Sequence, residues 1–194
     1  MGSRSEEKVA LRSRARELRG ALGGAYRREA TESLILRVAK QLRDHEELIG
    51  LFAGIHGEPE LFQHWPFPFP VALPRVEGNH LTLWKIESRD QVVTGYRGIL
   101  EPDVDHCTRV SLCELKWLLV PGLAFSCETG ARLGQGGGFY DRLLAGRLRG
   151  EMPRIVGVCF EAQLVRSIPM EEFDQTVDCV CTERRWLEVE VWED

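Results

Sequence analysis

The sequence has no surplus of positive charge, no long apolar run and no finger-type cysteine spacing, and each absence removes a class of function. Twenty-five Lys and Arg stand against 30 Asp and Glu, a formal net charge of −5. A nucleic-acid or anionic-membrane surface is therefore not expected as the main partner. No apolar stretch approaches the roughly 20 residues needed to cross a bilayer. Met1 to Glu17 is charged where a secretory signal would be apolar, so a cytoplasmic location is the default expectation. The six cysteines, at 107, 113, 127, 159, 179 and 181, form no Cys-x-x-Cys pair and no Cys/His ligand motif, which argues against structural zinc. Cys159, Cys179 and Cys181 lie in apolar, strand-like runs and read as reduced core residues. Cys127 sits in a loop, where reactivity would require a depressed pKa. Internal repeats, low-complexity segments and an interdomain linker are also lacking. The 194 residues, 43% hydrophobic, read as one domain spanning 1–194 around one core.

What the chain does contain is a dense stretch from Arg132 to Arg142, just downstream of the apolar run Leu118-Leu119-Val120 and the turn pair Pro121-Gly122. Gly134, Gly136, Gly137 and Gly138 occupy four of five positions around Gln135. Without β-carbons, such a loop lets backbone N–H groups approach a ligand and tolerates positive φ. Tyr140 to Arg149 carries Leu143, Leu144 and Leu148 at helical spacing, and a helix there would point its N-terminus at an anion. Arg132 and Arg142 add charge nearby. A glycine-rich loop is also often only a tight turn, and no Gly-Lys-Ser/Thr follows, so this is not a Walker loop.

Elsewhere the periodicity alternates between helix and strand. Ser3 and Glu6 form a capping-box pattern before a stripe of Leu11, Ala15, Leu18 and Leu22. Lys8, Arg12, Arg16 and Arg19 make a basic stripe on this helix, which by spacing alone reads as a solvated face. A second helix is expected from Tyr26 to Asp44, burying Leu34, Ile35, Val38 and Leu42. Strands are expected at Leu48 to Ala53, Val71 to Pro74, His80 to Ile86, Leu115 to Val120, Ile155 to Phe160 and Thr176 to Thr182, with an edge strand through Leu187, Val189 and Val191. Glu58-Pro59 should open a helix after the loop Gly54 to Gly57. Trp65, Phe67 and Phe69, interleaved with prolines, either cover the core or line a pocket, and core cover is favoured because aromatics dominate buried packing. The alternation predicts an α/β fold with a largely parallel central sheet flanked by helices.

The run Leu119-Val120-Pro121-Gly122-Leu123-Ala124-Phe125, followed by Gly130 and by Arg132-Leu133-Gly134 through Arg142, closely resembles the signature of the 5-formyltetrahydrofolate cyclo-ligase family. Gly98 to Pro102, Gly157 to Phe160, Gln163-Leu164, Ile168-Pro169, Asp174, Val177-Asp178 and Thr182-Glu183 follow the same pattern in order, from about Gly95 to Glu183. The resemblance implies a three-layer α/β/α arrangement similar to that of certain sugar-phosphate isomerases and CoA transferases. It also implies an enzyme of one-carbon metabolism, a ligase that closes 5-formyltetrahydrofolate to the 5,10-methenyl form with ATP, giving ADP and phosphate. Under the same resemblance Lys8, Arg12, Arg132, Leu133, the loop Gly134, Gln135, Gly136, Gly137 and Gly138, and Phe139 and Tyr140 would bind ATP. Lys8, Arg132 and Tyr140 would serve catalysis, while Glu58, Gln135 and Phe139 would bind the folate. Asp141 and Asp174 would hold Mg²⁺, although Asp141 also suits a helix cap and Asp174 a solvated loop. ATP and reduced folate are thus the implied small-molecule partners, and the chain is expected to be a monomer, with a homodimer as the alternative.

Three points depart from that pattern or add to it. Ser126 stands where the family usually has aspartate, the proline-rich stretch 58–70 is short, and Phe139 lacks the hydroxyl of an aromatic pair. His56, beside Glu58, is the histidine to watch. Two alternatives to the main reading are a paralogue using ATP on another formyl or carboxylate compound, and a non-catalytic folate- or nucleotide-binding protein.

Overall fold

The computed structural model describes residues 4–42, 46–148 and 151–189. Two helices lead the chain, α1 (Arg4–Ala21) and α2 (Gly24–Leu42). The strands follow as β1 (Leu48–Gly50), β2 (Val71–Glu77), β3 (His80–Ile86), β4 (Val92–Thr94), β5 (Leu100–Pro102), β6 (Thr108–Val110) and β7 (Leu115–Pro121). Beyond them lie the short hairpin β8 (Ala124–Phe125) and β9 (Arg132–Leu133), helix α3 (Phe139–Leu144), and strands β10 (Arg154–Val158), β11 (Cys179–Cys181) and β12 (Trp186–Glu188).

Eight strands form one sheet in the order β12-β11-β10-β7-β1-β2-β3-β6. Its centre, from β11 to β2, is parallel, and antiparallel strands extend both margins. This is the α/β fold with helix-flanked sheet that the pattern predicts. The central strands are apolar on both sides because both faces are covered. Along β7, Trp117 and Leu119 join the cluster that holds Leu34, Val38 and Leu42 of α2. Leu118 and Val120 join the opposite cluster with Leu144 of α3. At Gly157 on β10 a β-carbon would lie 2.4 Å from the Phe125 ring, so only glycine lets that ring seat against the strand.

The chain leaves β1 toward β2 on one side, whereas β7, β10 and β11 succeed one another on the other. Strand order therefore reverses between β1 and β7, and the loops leaving their C-terminal ends diverge. Such a switch point opens a crevice above the sheet.

Several local expectations change. α1 does not bury Leu18, which is 47% exposed; its buried residues are Lys8, Ala15 and Arg19. Ala15 packs on the β8–β9 hairpin, with Leu123, Ala124, Ala131 and Leu133, rather than on the sheet. Ser3 of the capping-box pattern lies outside the described residues, as do Asp44, Arg149, Val191 and Trp192. β1 stops at Gly50, although the Leu51 N–H still reaches the Ala72 carbonyl at 2.8 Å. Instead of a helix opened by Glu58-Pro59 there is one 3-10 turn, Leu61–His64. Pro66, Pro68 and Pro70 have no N–H to continue it. Phe62, Trp65, Phe67 and Phe69 run ring to ring, at 6.0, 6.0 and 5.5 Å between successive centroids, and pack into the α2-side core. They cover the core, as favoured. α3 ends at Leu144, well short of Arg149, and Gly146 takes a left-handed φ of 84° just beyond it, which stops the helix.

Candidate active site

A cleft of about 730 Å³ lies where the loops after β1 and β7 part. It brings together every residue that the resemblance assigns to ATP, folate or Mg²⁺: Lys8 and Arg12 of α1, Glu58 after β1, Arg132 and Leu133 of β9, the loop Gly134 to Gly138, Phe139, Tyr140 and Asp141 of α3, and Asp174. His56 also lines it, but Ser126 does not.

One half of the cleft is basic. The Lys8 ammonium is buried and donates to Glu171 at 2.8 Å and to Asp174. Burial works against its charge, but the hydrogen bonds and charges of Asp174 and Glu171 together outweigh it and hold the pKa above the ordinary lysine value. Arg132 donates through Nη2 to Asp141 at 2.8 Å, while its Nε is buried with no hydrogen-bond partner among the described residues. An orphaned donor of that kind is rare in a folded interior and suits an anionic oxygen. From α1, Arg12 Nε donates to the Gly134 carbonyl at 3.1 Å, and Arg16 donates to the Gln135 carbonyl and side-chain oxygen at 3.3–3.4 Å. Gly136 and Gly138 sit at φ of 105° and 67°, which explains glycine at these two positions.

Arg142 does not line the cleft. It donates to the carbonyls of Gly137 and Asn79, both at 2.7 Å. It therefore straps the loop to the β2–β3 turn rather than adding charge to the site. With only six residues in α3, the helix dipole expected behind the loop is also short.

The other half has apolar walls and two buried carboxylates, Glu58 and Glu101. Phe52, Ile55, Val76, Leu81, Tyr96 and Phe139 line it, and the Tyr96 and Phe139 rings meet edge to face at 6.0 Å. Glu58, 5% exposed, accepts from Arg19 Nη1 at 3.4 Å, Gln135 Nε2 at 3.4 Å and the Ile55 N–H at 3.3 Å. Burial raises the Glu58 pKa against the opposing pull of Arg19 and these hydrogen bonds. Burial likewise raises the Tyr140 phenol, with the Glu58 charge adding to it and Arg132 opposing.

Arg19 is the residue that sequence reasoning missed. Read as part of a solvated stripe, it is 3% exposed and lines the cleft. Residues 8, 12, 15 and 19 fall on one helical face. The signal that would have found it is Ala15, a small apolar residue in the middle of that basic face. Arg16, also read as merely solvated, contacts the glycine loop. The departure at Ser126 is absorbed locally: its hydroxyl, fully buried, donates to the Arg166 carbonyl at 2.8 Å and accepts from the Thr129 N–H at 3.3 Å.

Among the described residues, no three His, Cys, Asp or Glu side chains converge as a metal cage. Asp141 and Asp174 nevertheless line the same cleft, and each touches the loop around 171–175: Asp141 accepts from the Gln175 N–H at 3.2 Å, and Asp174 accepts from the Glu171 N–H at 2.6 Å. Two hard oxygen donors beside an orphaned phosphate-type donor fit a Mg²⁺ that keeps water and phosphate oxygens as its remaining ligands.

The family model described as the 5-formyltetrahydrofolate cyclo-ligase family matches residues 4–183. The chain belongs to this family. The "5-formyltetrahydrofolate cyclo-ligase" of Saccharomyces cerevisiae is 42% identical over 67 residues, 32% of this chain and 31% of that protein. The Escherichia coli K12 protein of the same description is 36% identical over 124 residues, 64% of each chain. Both alignments thus span less than two thirds of the relatives' lengths. The solved structure of Aquifex aeolicus 5,10-methenyltetrahydrofolate synthetase superposes with a TM-score of 0.82 at 31% identity, covering 96% of this chain and 95% of that one. The Mycoplasma pneumoniae synthetase shares the fold at a TM-score of 0.67 and 18% identity, covering 91% of this chain and 98% of that one.

Proposed function

We propose that the protein converts 5-formyltetrahydrofolate to 5,10-methenyltetrahydrofolate with ATP. The observation that carries this reading is the continuity of the cleft: a basic, glycine-lined half opens directly into an apolar-walled half that holds the buried carboxylate of Glu58, and Gln135 touches both. The formyl oxygen attacks the γ-phosphorus and ADP leaves. N10 then adds to the activated formyl carbon and gives up its proton, and phosphate departs with the former formyl oxygen.

Such chemistry needs positioning and charge neutralisation rather than a protein nucleophile. Lys8, Arg12 and Arg132 would neutralise the phosphates, with the Arg132 Nε supplying a donor that has no partner among the described residues. The loop Gly134 to Gly138 would place its backbone against the phosphate chain. Tyr140, kept neutral by burial, would donate a hydrogen bond from its hydroxyl. Phe139 and Tyr96 would flank the folate ring, with Glu58 accepting from its N–H groups. Asp141 and Asp174 would hold Mg²⁺, which when bound would offset charge on the transferred group.

The test is the absorbance of the conjugated methenyl product on mixing purified protein, 5-formyltetrahydrofolate, ATP and Mg²⁺. Product growth that requires both ATP and metal is expected. ATP binding without product would redirect the search to another formyl or carboxylate substrate.

A further inference from the structure

Arg19 and Glu58 form an ion pair whose side chains are 3% and 4% exposed. Two buried charges repay their desolvation only with close, well-saturated geometry. Here the contact is a single one of 3.4 Å, and the other two bonds to Glu58, from Gln135 and the Ile55 N–H, are 3.4 and 3.3 Å. Charge-assisted bonds are normally about 2.7–2.9 Å. A carboxylate has about four acceptor sites, so Glu58 is held in place by three long bonds and keeps acceptor capacity on its cleft side. The pair as a whole adds little net stability, although removing one partner would strand a buried charge, and Arg19 is well placed to orient one carboxylate.

We propose that Arg19 is a positioning residue, which holds Glu58 ionised and aimed into the cleft as an acceptor for the N–H edge of a reduced folate without touching the substrate itself. The proposal rests on the reading of the cleft given above. The surroundings oppose charge on both partners, so each depends on the other to stay ionised. Arg16 on α1 and Arg27 on α2 place like charge near Arg19, and burial and both neighbours lower its pKa. Only the Glu58 carboxylate opposes that trend. Tyr140 from α3 faces Glu58 and stays neutral, and His56 lines the same wall. Arg19 also stands one turn from Arg16, which grips Gln135, so the carboxylate and the glycine loop are registered on the same helix.

Arg19→Gln and Arg19→Lys are compared with the wild type by calorimetric binding of 5-formyltetrahydrofolate and of a non-hydrolysable ATP analogue between pH 5 and 8. Arg19→Gln is expected to weaken folate binding about tenfold at neutral pH, the cost of one charged hydrogen-bond partner. The acidic limb of the folate-binding profile should move to higher pH, ATP-analogue binding should stay within about twofold, and Arg19→Lys should restore the limb. An unmoved limb, or equal loss for both ligands, overturns the proposal. If Arg19→Gln alone does not fold, Glu58→Gln and the double variant Arg19→Gln/Glu58→Gln decide it. With Glu58 neutral, losing Arg19 should change folate affinity by no more than about twofold, and a further tenfold loss would mean that Arg19 itself touches the ligand.

Carbon NMR of the Glu58 carboxyl, assigned with Glu58→Gln, needs no ligand and should show its titration raised in Arg19→Gln. An unchanged titration sinks the role of Arg19. Wild-type protein that binds no folate, with the titration shifted as expected, sinks the functional reading instead.

Discussion

In the basic half of the cleft Lys8, Arg12 and Arg132 each already grip an oxygen of the protein, whereas in the apolar half Glu58 is gripped by a lone cation through one long contact. The first half is a set of cations held by oxygens of the protein, the carboxylates of Asp174 and Asp141 and the Gly134 carbonyl; under the proposed function phosphate oxygens would take their place. Exchange there would replace one oxygen ligand by another. In the second half the other donors to Glu58, Gln135 and the Ile55 N–H, are neutral. Removing Arg19 there leaves a buried charge with no counter-charge bonded to it among the described residues, so the two halves should fail in different ways when they are mutated.

The largest effect is expected from breaking the apolar half. Arg19→Met should lower the unfolding free energy by about 3–5 kcal/mol at pH 8 by leaving Glu58 ionised and unpaired, measured by denaturant titration. Burial raises the folded-state pKa of Glu58, so the folded protein binds that proton more tightly than the unfolded chain. Stability from this group is complete below the ordinary glutamate range and is lost as pH rises through the raised value. The Arg19→Met deficit should therefore shrink on acidification. A deficit independent of pH would mean that the pair is not coupled through charge.

In the basic half, Arg132→Met should reduce kcat/KM on the order of 10²–10³-fold by removing a donor to developing charge, with a smaller change in stability because Asp141 is partly solvated. Stopped assays at varied ATP check it, and a loss under tenfold would move the phosphates elsewhere. Asp141→Asn should raise the Mg²⁺ concentration for half-maximal turnover about 10–100-fold, which a metal titration reads directly.

Smaller effects sharpen the contrast between site and scaffold. Gly138→Ala forces a side chain into a left-handed φ of 67° with its β-carbon 2.6 Å from Arg142 Nη1. It should cost about 1–2 kcal/mol and raise the KM for ATP by pushing Arg142 off the Gly137 carbonyl. Gly146→Ala, at φ 84° with no atom within 4 Å, should show a similar thermal shift and no KM change. Phe67→Leu should cost about 1 kcal/mol through lost ring contacts and leave both KM values untouched, since Phe67 covers the core. A folate KM that rose with it would return the proline-rich segment to the pocket.

The legible part of the site was the part that is local in sequence. Arg132 to Asp141 sit within ten consecutive positions, and four glycines in five imply backbone approach whatever surrounds them. The strands were legible for a similar reason: Leu118-Leu119-Val120 admits burial on both faces. Arg19 was not legible. A charged residue at helical spacing looks solvated until a partner is known, and Glu58 lies 39 positions away. Lys8 has the same problem more severely, for its carboxylates are 163 and 166 positions distant. The stretch 58–70 misled in a different way, because its prolines forbid a helix but say nothing about which face its aromatics take.

Taken alone, the amino-acid order determined the alternation of helix and strand, the parallel core and the glycine loop with its adjacent cation and acid. Each follows from backbone geometry acting over a few residues. Tertiary structure alone decided that the basic face of α1 would be buried, that Arg142 would strap the loop instead of lining the cleft, and that Glu58 would be sealed against Arg19. Burial of a charge depends on which remote segment supplies its partner, and that is set by where the strand order reverses between β1 and β7.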